Sequence, residues 1–278
     1  MALPLSLRLR LRAYERFAPR RGGKFVAKIF TSPRAHKQPA WELELIGRGN
    51  AIALADGISG TQWGAPDGAP IILLHGWEGR GAQLGYFVDP LVALGYRVIG
   101  MDGPAHGASE GKFANPFAFA KALLDVQAVI GPFRAVIGHS MGGGATNIAL
   151  SRGLIVEQIV LLGTPSSLPE VFKRFSDFMG LGPRVREAFK NAMVERTGVP
   201  IEQSALLPNT SDKTLPVLIV HDIHDREIPL ADAQMALRAY PNARLLEVDT
   251  GGHRKMLKSP EVIEAVTRFI GTREKLSA

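Results

Sequence analysis

From residue 71 onward, short apolar runs alternate with longer segments of helical periodicity. The apolar runs lie at 71–75, 96–102, 133–139, 158–163, 215–222 and 243–248. They are rich in Val, Ile and Leu on both faces, which is typical of strands that are covered on both sides. Helices are predicted near 81–94, 115–130, 141–152, 230–239 and 260–271. This alternation predicts an α/β fold, with a mostly parallel central sheet flanked by helices.

Two regions lie outside this alternation. Segments 41–46, 51–55 and 58–63 predict short antiparallel strands that precede the parallel core. Residues 165–214 interrupt the core with two amphipathic helices, predicted at 168–179 and 184–196, and an insertion of this length indicates a lid. We therefore divide the chain into a basic N-terminal arm (1–40), an α/β core (41–164 and 215–272), a helical lid (165–214) and a C-terminal tail (273–278).

The net charge of +7 comes from the N-terminal arm, which holds ten Lys/Arg and a single acidic residue, Glu15. Its Leu/Arg alternation over 5–12 predicts a strand, within an arm expected to be solvated beside the core. We expect no nucleic-acid partner, because the arm lacks interleaved aromatic residues and any recognised nucleic-acid motif. Apolar runs are too short for a transmembrane span, and a cytoplasmic location is the default expectation. The oligomeric state is left open.

The segment Gly138-His-Ser140-Met-Gly142 is a G-x-S-x-G motif. It lies between a predicted strand and a helix rich in small residues, where a sharp turn would expose the Ser140 hydroxyl. This context predicts that Ser140 is a nucleophile. The absence of cysteine excludes a thiol nucleophile, disulfides and thiolate metal sites.

A serine nucleophile needs a base, and a third group must orient that base. Of the seven histidines, only His221, His224 and His253 follow Ser140. In hydrolases that carry this motif on a parallel sheet, the order is Ser, acid, His, and only His253 follows a strand-end carboxylate by a further strand. We predict His253 as the base and Asp225 as the acid, with Asp222 on the same turn as the alternative.

Two backbone N–H groups are needed to stabilise the oxyanion. Met141 follows the nucleophile and is expected to supply one. The loop after the first parallel strand, His75-Gly76-Trp77, is expected to supply the other from Trp77. We also predict that the Trp77 indole and two lid aromatics, Phe172 and Phe175, contact the substrate.

These motifs resemble the α/β-hydrolase superfamily, in its serine hydrolase branch of esterase/lipase-like enzymes with a small helical cap. The resemblance covers about residues 60–272 and rests on five motifs in the family's order. They are His-Gly-Trp at 75–77, Asp102-Gly-Pro-Ala-His-Gly-Ala-Ser109, the G-x-S-x-G motif, the turn from Asp225 to Pro229 and Gly-Gly-His at 251–253. The resemblance implies that the 102–109 loop braces the oxyanion loop. Many relatives have Gly where this chain has Ala105.

The predicted function is hydrolysis of a small-molecule carboxylic ester or thioester through a Ser-His-Asp triad, without a cofactor or a metal. Three alternatives remain. The same fold could cleave a carbon–carbon bond or act as a cofactor-free lyase. It could be a non-catalytic binding module. A metal-dependent hydrolase would use His221, Asp222, His224 and Asp225, although all four lie on one turn where their side chains diverge.

Overall fold

The computed structural model describes residues 3–201, 206–207 and 214–272. The chain divides into two compact units. The helical unit comprises Met1–Pro33 and Ser167–Leu206, and the core unit comprises Arg34–Ser166 and Leu207–Ala278. The C-terminal tail expected at 273–278 and parts of the expected lid lie outside the described residues. None of the helices in the described part of the chain is long and apolar enough to cross a bilayer.

The core unit contains an eight-stranded sheet in the order β1-β2-β4-β3-β5-β6-β7-β8. β2 pairs antiparallel with both β1 and β4, and the remaining pairs are parallel. The strands are Asn50–Ala55 (β1), Ile58–Trp63 (β2), Pro70–Leu74 (β3), Arg97–Met101 (β4), Phe133–His139 (β5), Val156–Leu162 (β6), Val217–Asp222 (β7) and Ala243–Val248 (β8). The predicted fold class is therefore confirmed.

Helices cover both faces of this sheet. Alternate residues of β6 pack into different apolar clusters: Val160 lies with residues of α10, and Ile159 lies with residues of α9. Burial on both faces explains the continuous apolar runs of these strands. The helices of the core unit are Ala40–Gly47 (α3), Val88–Ala93 (α4), Pro116–Ile130 (α5), Met141–Leu150 (α6), Leu230–Ala239 (α9) and Pro260–Gly271 (α10), with 3₁₀ helices at Gly81–Phe87 and Lys255–Lys258.

The strand order places a topological switch point at the middle of the sheet. β3 lies between β4 and β5, so the chain leaves the carboxyl ends of β3 and β5 in opposite directions. In open α/β sheets, ligands bind in the crevice that forms at such a point. The two loops that begin there are 75–81, after β3, and the turn into α6, after β5.

The predicted strand at 41–46 is wrong, because these residues form helix α3. Glu and Leu favour a helix, and an alternating run this short is ambiguous between the two periods. Tertiary contacts favour the helix: Leu45 is buried, and its carbonyl accepts a hydrogen bond from the Trp63 indole at 2.9 Å.

The helical unit is built from Leu5–Phe17 (α1), Pro19–Thr31 (α2), Leu168–Phe178 (α7) and Pro183–Thr197 (α8). Its apolar core includes stacked rings of Phe172 and Phe189, whose centroids lie 4.2 Å apart, and Phe30 packs edge-on against both. Helix α2 approaches α8 closely, since a Cβ at Gly23 would overlap the Ala188 backbone. The arm and the insertion thus share one hydrophobic core.

The predicted strand at 5–12 is also wrong, because these residues belong to α1. Residues four apart share a helix face, so the Leu/Arg alternation places Leu7 and Leu11 toward the unit's core and leaves Leu5 and Leu9 exposed. Glu15, the arm's single acidic residue, accepts the amide N–H groups of Arg184 and Val185 at the start of α8. Its charge therefore lies at the positive end of that helix.

Candidate active site

Ser140 occupies the sharp turn between β5 and α6, with φ of 53° and ψ of −122°. Its amide donates a hydrogen bond to the Leu162 carbonyl of β6 at 2.8 Å. The motif glycines are required by packing. A Cβ at Gly138 would lie 2.7 Å from the Gly143 Cα, and one at Gly142 would overlap backbone carbonyls at the end of β3. The glycine pattern thus permits a strained turn that presents the Ser140 side chain.

His253 and Asp225 form a buried pair. The His253 Nδ1 lies 2.6 Å from the Asp225 Oδ2, and each side chain is almost completely buried. Burial by itself would raise the pKa of Asp225. Hydrogen bonds from His253 and from the Ile228 and Glu227 amides outweigh it, so the pKa of this carboxyl is lowered. An ionised carboxylate can only accept a hydrogen bond, so Nδ1 carries the proton and Nε2 has a free lone pair.

This pair lies beside the turn that carries Ser140. Gly163 follows the Leu162 carbonyl to which Ser140 is bonded, and a Cβ at Gly163 would lie 3.0 Å from His253 Nδ1. The His139 ring lies 4.6 Å from the His253 ring, centroid to centroid. The structure therefore pairs the predicted base with the predicted acid, close to the turn that carries the predicted nucleophile.

Asp222 has different partners. Its Oδ2 accepts hydrogen bonds from the Thr250 amide and hydroxyl, both at 2.6 Å, and its Oδ1 accepts from the His224 amide at 2.8 Å. Burial alone would raise its pKa, but these hydrogen bonds outweigh that effect and lower the pKa to about 2. Asp222 thus fastens the loop after β7 to the loop after β8.

The histidines on this turn also diverge. His221 is buried, with its Nε2 3.0 Å from the Ile228 carbonyl and 3.8 Å from Asp225 Oδ2. His224 instead points toward Asp249, at 3.4 Å. The sequence analysis did not predict that His221 lies close to Asp225. No local sequence pattern distinguishes His221 from His224 in this respect. Outside this group, the four residues considered for a metal site contact the Ile228 carbonyl, Thr250, Asp249 and His253 respectively.

Trp77 and Met141 lie on the two loops that meet at Ser140. Met141 is the first residue of α6 and directly follows Ser140. A Cβ at Gly76 would lie 2.8 Å from the Ser140 Cβ, so the loop that contains Trp77 runs against the nucleophile turn. The Trp77 indole packs edge-on against the His106 ring, with centroids 5.5 Å apart.

A second loop supports the 75–81 loop. Asp102 accepts the Gly81 amide at 2.8 Å, and His75 Nε2 accepts the Gly103 amide at 3.0 Å. Burial, with a smaller effect from the neighbouring His106, lowers the pKa of His75 to about 3. His75 is therefore neutral and can accept this bond. These two bonds link the 75–81 loop to the 102–109 loop, and the role of the former as an oxyanion loop stays a prediction.

Backbone strain is concentrated at this site. In the part of the chain that the structure describes, three residues other than glycine have a positive φ: Glu78, Ala105 and Ser140. All three lie in the loops around the switch point. Ala105, at φ of 62°, occupies a left-handed conformation that favours glycine, which explains why the resembling family often has Gly there.

Phe172 and Phe175 belong to the helical unit. Phe172 stacks on Phe189, and the Phe175 ring lies 4.7 Å from the Phe30 ring. Both rings therefore contribute to the hydrophobic core of that unit. Their contact with a substrate stays a prediction.

Comparisons with known proteins place this chain in a family. A profile of the Alpha/beta hydrolase family matches residues 71–266. A serine hydrolase-like protein of Danio rerio is 33% identical over 43% of this chain, a match that spans 39% of that relative. A pimeloyl-[acyl-carrier protein] methyl ester esterase of Aromatoleum aromaticum is 28% identical over 71% of this chain and 98% of the esterase.

Among solved structures, an esterase from Exiguobacterium antarcticum superposes with a TM-score of 0.60 at 20% identity, covering 81% of this chain and all of the esterase. At 20% identity, this similarity shows a shared fold and nothing further. The profile match spans most of the chain and includes both loops at the switch point and the residues that meet there. The chain belongs to the alpha/beta hydrolase family.

Proposed function

We propose that this protein is a serine hydrolase that cleaves a small-molecule carboxylic ester or thioester through an acyl-enzyme. The observation that carries the proposal is the buried His253–Asp225 pair beside the strained turn of Ser140. That arrangement supplies a nucleophile, a base with a free Nε2 lone pair and a carboxylate that holds the base in the required tautomer.

In the first half of the reaction, the Ser140 hydroxyl attacks the carbonyl carbon while His253 Nε2 takes its proton. The amides of Met141 and Trp77 donate hydrogen bonds to the oxygen that becomes negative. The tetrahedral intermediate then collapses. The bond to the alcohol or thiol breaks, and the imidazolium of His253 protonates the leaving group.

In the second half, water attacks the acyl group on Ser140, and His253 removes a proton from that water. Collapse of the second intermediate returns the proton to the Ser140 oxygen and releases the acid. Asp225 stays ionised throughout and stabilises the imidazolium. The lowered pKa of Asp225 is consistent with this role.

The relative that acts on a methyl ester supports ester cleavage, because its match spans nearly its whole length. We further propose that the Trp77 indole lines the substrate site.

The test is covalent labelling with a fluorophosphonate, followed by intact and peptide mass measurement. We expect one adduct on Ser140, which is lost in Ser140→Ala and retained in Ser151→Ala, a control at an exposed serine at the end of α6. A folded wild-type protein without an adduct would contradict the proposal.

A substrate panel then separates ester cleavage from the alternative reactions. Turnover of p-nitrophenyl esters or acyl thioesters, lost in Ser140→Ala and His253→Ala, supports the proposal. Activity restricted to β-diketones or cyanohydrins would favour a carbon–carbon hydrolase or lyase on the same fold.

A further inference from the structure

Glu78 follows Trp77 in the oxyanion loop, and its side chain is held by the segment that begins the core unit. Arg34 binds it with two parallel hydrogen bonds, from Nε to Oε1 at 2.8 Å and from Nη2 to Oε2 at 3.0 Å. The Arg34 amide adds a third bond at 3.2 Å, and His36 Nε2 lies 2.8 Å from Oε2. All four contacts cross more than 40 positions of sequence.

The backbone of Glu78 is held from the opposite side. Its amide donates to His106 Nε2 at 3.1 Å, and the Gly79 amide donates to the Gly76 carbonyl at 3.1 Å, which closes a turn with Trp77 and Glu78 at its centre. Glu78 has φ of 56°, a strained conformation for a side chain of this kind. Such strain persists only where surrounding contacts over-determine it.

A second residue of the loop is tied to the same segment. Arg80 forms an ion pair with the buried Glu42 of α3, and its Nη1 donates to the His36 carbonyl at 3.3 Å. Residues 34–42 therefore hold the loop at two positions, Glu78 and Arg80, which closely follow the Trp77 amide.

The exposed fractions of the Glu78 and Arg34 side chains indicate the role of these contacts. The Glu78 side chain is 12% exposed and Arg34 is 78% exposed. Ion pairs with an exposed partner contribute little to stability. A two-pronged arginine bond does, however, fix direction as well as distance. The Arg34–Glu78 contact is therefore better explained as a means of orienting the strained loop than as a means of stabilising the fold.

We propose that Arg34 and Glu78, assisted by His36, form a clamp that positions the Trp77 amide for the oxyanion. This inference rests on the proposed function. Arg34 and Glu78 act through the loop, so they are positioning residues.

The test compares Arg34→Ala, Arg34→Lys and Glu78→Gln with wild type, using a p-nitrophenyl ester and fluorophosphonate titration of active sites. We expect kcat per titrated site to fall about tenfold in Arg34→Ala and Glu78→Gln, a fraction of the effect of losing an oxyanion donor. KM should stay within about threefold, since the contact matters most in the transition state. Arg34→Lys should recover only part of the loss, because Lys cannot form two parallel bonds.

Two controls complete the design. The Arg48–Asp89 pair is also two-pronged, through Nη1 and Nη2 at 3.2 Å, and Arg48→Ala should leave kcat per site within about twofold of wild type. The charge-reversed double variant Arg34→Glu/Glu78→Arg should recover a large part of the loss seen in either single reversal.

The outcomes separate the two proposals. If wild type is labelled at Ser140 but the Arg34 and Glu78 variants retain wild-type kcat per site, the clamp is refuted and the proposed function stands. If the variants lose only titratable sites and thermal stability, the contact is merely structural and the clamp is again refuted. An unlabelled wild type refutes the proposed function and the clamp that rests on it.

Discussion

Gly76 offers a direct test of how closely the 75–81 loop approaches Ser140, the proposed nucleophile. In Gly76→Ala the new Cβ would lie 2.8 Å from the Ser140 Cβ, and 3.2 and 3.3 Å from His139 Nδ1 and carbonyl oxygen. Carbon atoms in contact ordinarily lie about 3.5–4.0 Å apart. The loop must therefore retreat from Ser140 by roughly 1 Å, because the backbone of the nucleophile turn is fixed within the sheet.

A displacement of about 1 Å at a reacting centre can cost about 10²-fold in rate. That factor corresponds to about 2.7 kcal/mol of lost transition-state stabilisation. We expect Gly76→Ala to lower both kcat on a p-nitrophenyl ester and the rate of fluorophosphonate labelling by about 10²-fold. The backbone of Gly76 lies outside the left-handed region, so alanine introduces no backbone strain there.

The matched control is Gly47→Ala, where a new Cβ meets nothing within 4 Å. Its rate should equal that of wild type. Circular dichroism and a melting curve would establish that both variants are folded. A folded Gly76→Ala variant that labels and turns over as wild type would refute the proximity of the loop to Ser140.

Three further results are expected. Asp225→Asn should lower kcat by about 10³–10⁴-fold, because an amide no longer fixes the His253 tautomer. Asp222→Asn should mainly lower the free energy of unfolding, by about 2 kcal/mol, because its charged hydrogen bonds are weakened. Equal losses of kcat in the two variants would contradict the assignment of Asp225 as the acid. The pKa of Asp222 is lowered to about 2 by hydrogen bonds that outweigh burial. Its contribution to stability is therefore present above about pH 4 and is lost as the pH falls toward 2, so urea unfolding of Asp222→Asn between pH 6 and pH 3 should show a shallower acid decline than wild type. Ala105→Gly should raise the melting temperature by about 1–2 °C, since relief of a left-handed alanine slightly exceeds the added chain entropy; a lower melting temperature would contradict that balance.

The parallel sheet could be predicted because burial on both faces leaves a simple trace, a continuous apolar run. The G-x-S-x-G turn could be predicted because its glycines are required locally by the turn itself. The strands predicted at 5–12 and 41–46 were wrong because short alternating segments fit both the strand and the helix period. Burial of Leu11 and Leu45 in tertiary contacts favours the helix.

Sequence reasoning favoured Asp225 over Asp222, but the different contacts of the two side chains were visible only in the structure. Both carboxylates lie on one turn after β7, and only the path of the loop after β8 decides which of them meets His253 and which meets Thr250. The hydrogen bonds from Arg34 to Glu78 could not be predicted from the sequence either, because a contact across 44 positions leaves no local pattern.

The shared core of the helical unit has a consequence for biosynthesis. Helices α1 and α2 leave the ribosome before the segment that completes their core, which begins at Ser167 after the intervening residues 34–166. At about 5–20 residues per second, the apolar faces of α1 and α2 wait roughly 7–25 s for that segment. During this interval, Val26 and Phe30 have no native partners from α7 or α8. Nascent chains halted before Ser167 should therefore expose the apolar faces of α1 and α2. We expect chaperone binding to be strongest at this stage of synthesis.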